Sequence, residues 1–137
     1  MMPRKPKALV FDSWAVLAYL GDESSGQAVA DLISSAHENR IPMYMSIVNV
    51  GEVWYILARE ISEAQADKAV IDLTHLGIEL VDADWSLTRI AGGFKAHNKM
   101  SYADCFAAAL AQDRKSELVT GDKEFKQIEG KVSIRWL

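Results

Sequence analysis

Hydrophobic positions follow two alternating patterns along the chain. Short apolar runs typical of buried strands occur at Ala8–Phe11, Met43–Met45, Ile78–Val81, Leu118–Thr120 and Val132–Ile134. Between them, apolar residues recur at helical spacing from about Ser25 to Asn39, Val48 to Ile61, Ser62 to Gly77, Asp84 to a polar turn at Lys95–Met100, and Tyr102 to Gln112, while Lys123–Gln127 suits a single helical turn. Because strands alternate with helices and no β-hairpin signal occurs, this pattern predicts an α/β fold with a mainly parallel sheet covered by helices on both faces.

The composition is typical of one globular domain spanning residues 1–137. Hydrophobic residues make up 50% of the chain and charged residues 25%. No stretch approaches the ~20 apolar residues that span a bilayer, and no signal peptide is visible. The single cysteine, Cys105, suits a reducing compartment and a place inside a small-residue helix. We therefore expect a soluble, cytoplasmic protein without a membrane segment.

Four acidic residues fall where a parallel sheet would bring them to one edge. Asp12 directly follows the first strand, and Asp122 lies two residues beyond the fourth. Glu52 is in the opening turns of the helix after the second strand, and Asp104 is in the first turn of the helix that leads into the fourth. All four are thus expected at the edge where open α/β folds bind their ligands.

Each acid taken alone is more simply explained by helix capping. Asp12 and Asp122 could be N-caps, and the segments Ser101–Asp104 and Asn49–Glu52 both resemble capping boxes. Capping does not, however, require four acids to converge. Two carboxylates ~4 Å apart repel by about 4 kcal/mol at an effective dielectric constant of 20, so such a cluster needs a divalent cation or protons to neutralise it.

The ligand types indicate which cation would suit the cluster. Oxygen ligands favour Mg²⁺ or Mn²⁺ over zinc, which prefers histidine or cysteine. The histidines at positions 37, 75 and 97 lack metal-ligand spacing and are expected on the surface.

The sequence resembles PIN domains, and most of all the VapC-type toxins of bacterial and archaeal toxin–antitoxin pairs. The resemblance covers nearly the whole chain and rests on four segments in order: Val10–Ser13, Met45–Val53, Ser101–Ala111 and Leu118–Phe125. Two positions depart from the family's pattern. Trp14 is bulkier than expected, and Cys105 takes the place of a common alanine.

The resemblance implies a three-layer α/β/α sandwich with strand order 3-2-1-4-5. It also implies a metal-dependent endoribonuclease in which Asp12 and Asp104 hold Mg²⁺ or Mn²⁺, with Glu52 and Asp122 binding directly or through water. A metal-bound water would attack the phosphodiester and leave 5′-phosphate and 3′-hydroxyl ends. The expected partners are an RNA substrate, a cognate antitoxin protein and a second copy of the chain.

Supporting roles are less specific. Ser13 and Thr120 are candidates for hydroxyls that orient the carboxylates or the phosphate, although a cap and a strand-end residue are equally good explanations. Because the formal net charge is −4, contacts to RNA phosphates would have to be local, and Lys95, Lys99 and Lys123 are the candidates. A charge on a solvated surface is the commoner explanation for each of these lysines.

Two other function classes stay open. One is a non-catalytic or RNA-processing PIN-like interaction module, since a fold does not fix a function. The other is an aspartate-based phosphotransfer domain. A phosphatase of that kind needs an acid two residues after Asp12, where this chain has Trp14, and a receiver needs an acidic pair near the first strand, which is lacking although Asp82 and Asp84 follow the third.

Overall fold

A five-stranded parallel sheet organises the chain in the computed structural model, which describes residues 6–21 and 24–137. The strands are β1 (Leu9–Phe11), β2 (Met43–Ser46), β3 (Ile78–Val81), β4 (Glu117–Thr120) and β5 (Ser133–Trp136). The helices are α1 (Ser13–Leu20), α2 (Ser24–Asn39), α3 (Ile47–Glu60), α4 (Glu63–His75), α5 (Trp85–His97) and α6 (Tyr102–Arg114), followed by a 3₁₀ helix at Lys123–Ile128.

The strand order is β3-β2-β1-β4-β5, and every neighbouring pair is parallel. This confirms both the parallel sheet predicted from the alternating pattern and the order implied by the family resemblance. β1 lies in the centre, and its three residues are buried. Such a strand is apolar throughout because helices cover both faces of the sheet.

The two faces of the sheet form separate hydrophobic cores. Val10 and Leu118 face one core, where they pack with residues of α5 and α6 such as Phe94. Phe11 and Val119 face the other core, which α1 to α4 complete. Successive side chains on a strand point to opposite faces, so two neighbouring residues of β1 serve two cores. The result is the predicted three-layer sandwich.

Most of the buried side chains of helix α6 are small. The run Ala107–Ala109 is fully buried, as is Cys105. Burial also raises the pKa of the Cys105 thiol. The expectation of a small core residue at this position is confirmed. Among the described residues, no helix combines the length and the hydropathy that crossing a membrane requires.

One helix and several element boundaries differ from the sequence-based prediction. Helix α1 was not predicted, because the segment Ser13–Leu20 is almost continuously apolar and shows no clear helical stripe. Helix α5 continues to His97, into the predicted turn, and β5 begins at Ser133 and not at Val132. A pattern of apolar positions identifies half-buried elements well, but it does not distinguish a fully buried helix from a fully buried strand.

Gly26 offers a test of how closely α1 and α2 pack. A Cβ at this position would lie 2.6 Å from the carbonyl oxygen of Ala18. We expect Gly26→Ala to lower the free energy of unfolding by about 1–3 kcal/mol, because backbone cannot move aside as a flexible side chain can. The measurement is urea denaturation.

The matched control is Gly93→Ala on α5, where an added Cβ meets nothing within 4 Å. There we expect a gain of about 0.5–1 kcal/mol, since glycine is a poor helix former. Effects of the same sign at both positions would contradict the close approach of α1 and α2.

Candidate functional site

A cleft of about 370 Å³ opens at the carboxyl ends of the central strands. Its walls come from α1, α3, α6 and the segment after β4, namely Ser13, Trp14, Leu17, Glu52, Ile56, Ser101, Asp104, Asp122 and Glu124. Three of the four predicted acids, Glu52, Asp104 and Asp122, therefore share one cleft. The fourth, Asp12, is close enough for Asp122 and Glu52 to influence its ionisation.

Asp12 is buried between β1 and α1, with 1% of its surface exposed. One carboxylate oxygen accepts a hydrogen bond of 2.8 Å from the backbone N–H of Ala15, which makes Asp12 the N-cap of α1. The other accepts a hydrogen bond from the Thr120 hydroxyl. Asp12 thus caps a helix and also lies near the acids that line the cleft.

The pKa of Asp12 is raised to about 7. Burial is the main cause, and the negative charges of Asp122 and Glu52 add to it. The hydrogen bonds from Thr120 and Ala15 act in the opposite direction, because they favour the charged carboxylate. The folded protein therefore holds the proton of Asp12 more tightly than an ordinary aspartate does.

Thr120 joins two of the acids. Its side chain is fully buried, and its hydroxyl oxygen accepts a 3.0 Å hydrogen bond from the backbone N–H of Asp122 while donating to Asp12. Ser13 makes a different contact, because its hydroxyl donates to the backbone carbonyl of Asn49 at 3.2 Å. Of the two predicted hydroxyls, Thr120 contacts a carboxylate and Ser13 contacts the neighbouring helix α3.

Asp104, Asp122 and Glu124 form the tightest acidic group among the described residues. One carboxylate oxygen from each lies within 4.8 Å of the others. The pKa of Asp104 is raised to about 7 by burial, by a hydrogen bond shared with Glu124 and by the charge of Asp122. Ser101 caps α6 by accepting a 3.2 Å hydrogen bond from the Asp104 N–H, as the capping-box pattern predicted.

Glu124 was missed by the sequence analysis. Asp122 caps the 3₁₀ helix by accepting a 2.9 Å hydrogen bond from the Glu124 N–H, so the two acids share one tight turn. The signal in the sequence was a second acid two residues after a capping aspartate. That signal was indistinguishable from ordinary acidic residues at a helix start, where the helix dipole favours them.

Asn49 was also missed, and it connects the elements that carry the acids. Its side-chain amide donates a 3.0 Å hydrogen bond to the backbone carbonyl of Ala103, beside Asp104, and its backbone carbonyl accepts a hydrogen bond from the hydroxyl of Ser13, beside Asp12. Asn49 is fully buried, and its Oδ1 atom has no hydrogen-bond partner among the described residues. A capping box at Asn49–Glu52 is ruled out, since Ser46 caps α3.

The three predicted phosphate-binding lysines do not belong to the described residues that line the cleft. The Lys95 ammonium donates a 2.6 Å hydrogen bond to the carbonyl of Met100. The side-chain amide of Gln127 accepts a hydrogen bond from the backbone N–H of Lys99 and donates one to the backbone carbonyl of Lys99. Lys123 is exposed at the start of the 3₁₀ helix. A role for these lysines in substrate binding stays a prediction.

The donor set fits a hard divalent cation. All the candidate ligands are carboxylate oxygens, which suit Mg²⁺ or Mn²⁺. Two oxygens on opposite sides of an octahedral Mg²⁺ lie about 4.1 Å apart. The group formed by Asp104, Asp122 and Glu124 is only slightly wider than that. Burial is the main cause of the raised pKa values of Asp12 and Asp104, and a bound cation would favour the charged form of both carboxylates.

Solved structures of toxin–antitoxin proteins share this fold. The structure of VapBC2 from Rickettsia felis bound to a promoter DNA fragment aligns with a TM-score of 0.74 and 16% identity over 93% of this chain and 97% of that chain. VapC20 from Mycobacterium tuberculosis, described as a Sarcin-Ricin loop cleaving toxin, gives 0.68 and 18% over 93% and 99%. A toxin–antitoxin complex from Klebsiella pneumoniae gives 0.64 and 18% over 93% and 96%.

The sequence comparisons are consistent with the fold. No match is found among curated protein sequences. The PIN domain family model, in contrast, matches residues 9–131, which include all the acids of the cleft. Since the match spans most of the sequence and the sheet has the expected strand order, the chain belongs to the PIN domain family.

Proposed function

We propose that this PIN domain is a metal-dependent endoribonuclease and the toxin of a toxin–antitoxin pair. The observation that carries the proposal is the convergence of carboxylates at the cleft, with Asp104, Asp122 and Glu124 within 4.8 Å of one another and Asp12 buried beside them. Perturbed carboxylates in a cleft are typical of functional sites.

The residues of the cleft suggest how hydrolysis would proceed. Mg²⁺ or Mn²⁺, when bound, would lower the pKa of a water molecule and neutralise charge on the phosphate. Asp104, Asp122 and Glu124 would bind the cation, with Asp12 and Glu52 binding it directly or through water. Thr120 would keep Asp12 in the orientation that the cation requires, because its hydroxyl holds one carboxylate oxygen. The acidic wall would thus orient the phosphate through the cation.

The choice of RNA, antitoxin and second copy as partners rests on similarity to known proteins. One similar structure is described as a Sarcin-Ricin loop cleaving toxin, and another as a toxin–antitoxin complex. The chain also offers exposed apolar side chains to a protein partner, namely Tyr55 on α3, Ile61 directly after α3 and Ile71 on α4.

The phosphotransfer alternative receives little support from the site. A receiver would have its phosphoacceptor after β3, but Asp84 serves there as the N-cap of α5 by accepting a 2.9 Å hydrogen bond from Leu87. β3 is also an edge strand of the sheet, away from the acidic cleft between β1 and β4. The non-catalytic alternative has the same acids, so an activity assay separates it from the nuclease.

Asp104→Asn tests the nuclease directly. We expect this variant to cleave labelled RNA with kcat/KM lowered by on the order of 100-fold or more, because the amide removes a charged ligand of the proposed cation. The matched control is Asp113→Asn on the same helix, which changes an exposed carboxylate and should keep full activity. Products are expected to carry 5′-phosphate and 3′-hydroxyl ends.

Three results would refute the proposed mechanism. They are full activity of Asp104→Asn, undiminished cleavage by the wild-type protein in EDTA, and products with 2′,3′-cyclic phosphates. The last would mean that the RNA 2′-hydroxyl, and not water, attacks the phosphate.

Asp12 predicts an unusual pH dependence of stability in the metal-free protein. Its pKa is about 7 when folded against an ordinary value of 3.8, so the folded state binds the proton more tightly. The resulting stabilisation is fully present below pH 3.8 and is lost as the pH rises through 7. Asp12→Asn cannot titrate. We therefore compare the free energy of unfolding of the two proteins in EDTA. Between pH 4 and pH 8, we expect wild type to lose on the order of 4 kcal/mol more of this free energy than the variant does.

Urea denaturation at a series of pH values measures this difference. Using the difference between the two proteins cancels the contributions of the titrating groups that do not interact with Asp12. A difference that stays constant with pH would show that Asp12 ionises normally in the folded protein.

Asn49→Ala tests whether Asn49 positions the acids. We expect the variant to need roughly 10- to 100-fold more Mn²⁺ for half-maximal activity, because losing the bond to Ala103 frees the start of α6 that carries Asp104. The matched control is Asn98→Ala, which removes a similar 3.0 Å bond from an amide to the carbonyl of Phe94. If Asn49→Ala lowers thermal stability but leaves the Mn²⁺ requirement unchanged, its role is structural only.

A further inference from the structure

Trp14 forms an aromatic wall on one side of the acidic cleft. It is the second residue of α1, it lines the cleft with Asp104 and Asp122, and it is half-buried. The remaining tryptophans do not line the cleft. Trp54 donates its indole N–H to Asp67, and Trp85 is 74% exposed on α5. Trp14 is therefore the tryptophan that a bound substrate would meet.

The Trp14 ring rests against Gly121. A Cβ built on Gly121 would overlap three carbons of the six-membered ring, Cη2, Cζ3 and Cζ2, at nearly equal distances. Near-equal distances to three adjacent atoms place this Cβ over the face of the ring and not off its edge. One face of the indole therefore lies on the backbone between Thr120 and Asp122, and the other face is free of this contact.

The absence of a side chain at position 121 is explained by this contact. Among the described glycines, Gly77 is the one with a positive φ, and Gly121 does not have one. The backbone conformation at position 121 therefore does not itself require glycine. What Gly121 provides is space for the ring. The ring is thus fixed directly beside Asp122 and beside the threonine that holds Asp12.

Apolar and acidic side chains line the cleft together. Leu17 lies one turn after Trp14 on α1, and Ile56 lies one turn after Glu52 on α3, so apolar side chains stand beside the acids. The volume of about 370 Å³ is at the small end of the range for ligand pockets. A single nucleotide matches this mixed lining, because it combines a charged phosphate with a flat aromatic base.

We propose that Trp14, supported by Gly121, stacks against an unpaired nucleobase next to the scissile phosphate. This inference rests on the proposed ribonuclease function. Every base has a π-face, so stacking on an aromatic side chain binds single strands with little sequence preference. A base inside a duplex is already stacked on both sides and cannot offer a face to Trp14.

The test compares two proteins on two substrates. The proteins are wild type and Trp14→Leu, which keeps an apolar side chain but removes the aromatic face. The substrates are a single-stranded oligoribonucleotide with a mapped cut and an analogue with abasic nucleotides on either side of that cut. For wild type, we expect removal of the bases to lower kcat/KM roughly 5- to 150-fold. For Trp14→Leu, intact RNA should already show that loss, and removing the bases should add little.

Two further variants serve as controls. Trp85→Leu removes an exposed tryptophan outside the cleft and should keep the base dependence of the wild type. Gly121→Ala should displace the ring and reproduce the loss of base dependence. Combined with Trp14→Ala, the same glycine change should have little further effect, because the ring that it displaces is gone. A large additional loss in that combination would contradict the proposed support by Gly121.

A binding measurement separates this inference from the proposed nuclease activity. Each fluorescently labelled oligonucleotide is titrated, in buffer that contains Mg²⁺, with the Asp104→Asn variant and separately with the double variant Asp104→Asn/Trp14→Leu. Fluorescence anisotropy reports binding. Base-dependent binding that needs Trp14 supports the stacking role even if no protein cleaves RNA, a result that would refute only the nuclease. Equal effects of Trp14→Leu on intact and abasic oligonucleotides would assign Trp14 to packing or to a protein partner and would overturn the inference.

Discussion

The parallel pairing of β1 with β4 in the centre of the sheet is the constraint on which the site depends. Its register puts Phe11 beside Val119, so the next residues, Asp12 and Thr120, meet across 108 positions of sequence. A carboxylate buried in a protein interior costs free energy unless hydrogen bonds satisfy it. The Thr120 hydroxyl and the first turn of α1 supply those bonds, and the same threonine fixes the backbone of Asp122.

The acidic cleft carries an electrostatic cost that the rest of the fold has to offset. Burial and mutual repulsion raise the pKa values of Asp12 and Asp104, which means that the metal-free protein would be more stable with fewer charges there. Two well-packed hydrophobic cores, one on each face of the sheet, provide the stability that such a site requires. The arrangement is typical of functional sites, where local stability is given up for binding.

Much of the fold and of the candidate site could be predicted from the sequence, for identifiable reasons. Strands and half-buried helices have characteristic periods, and acids placed after strands or in the first turn of a helix reach the same edge of a parallel sheet. That reasoning brought Glu52, Asp104 and Asp122 to one cleft and Asp12 beside it. It failed for α1, whose continuously apolar segment has no period, and for Glu124, which resembled an ordinary helix-start acid.

The sequence by itself determined the alternation of elements, the positions of four acids relative to those elements and, through resemblance, the family. The tertiary structure alone decided which side chains touch. Asn49 contacts Ala103 across 54 positions, and the Trp14 ring lies on Gly121, more than 100 positions away along the chain. No local pattern encodes such contacts, because they depend on how the helices pack on the sheet, and packing is set by the shapes of residues from distant segments meeting at close range.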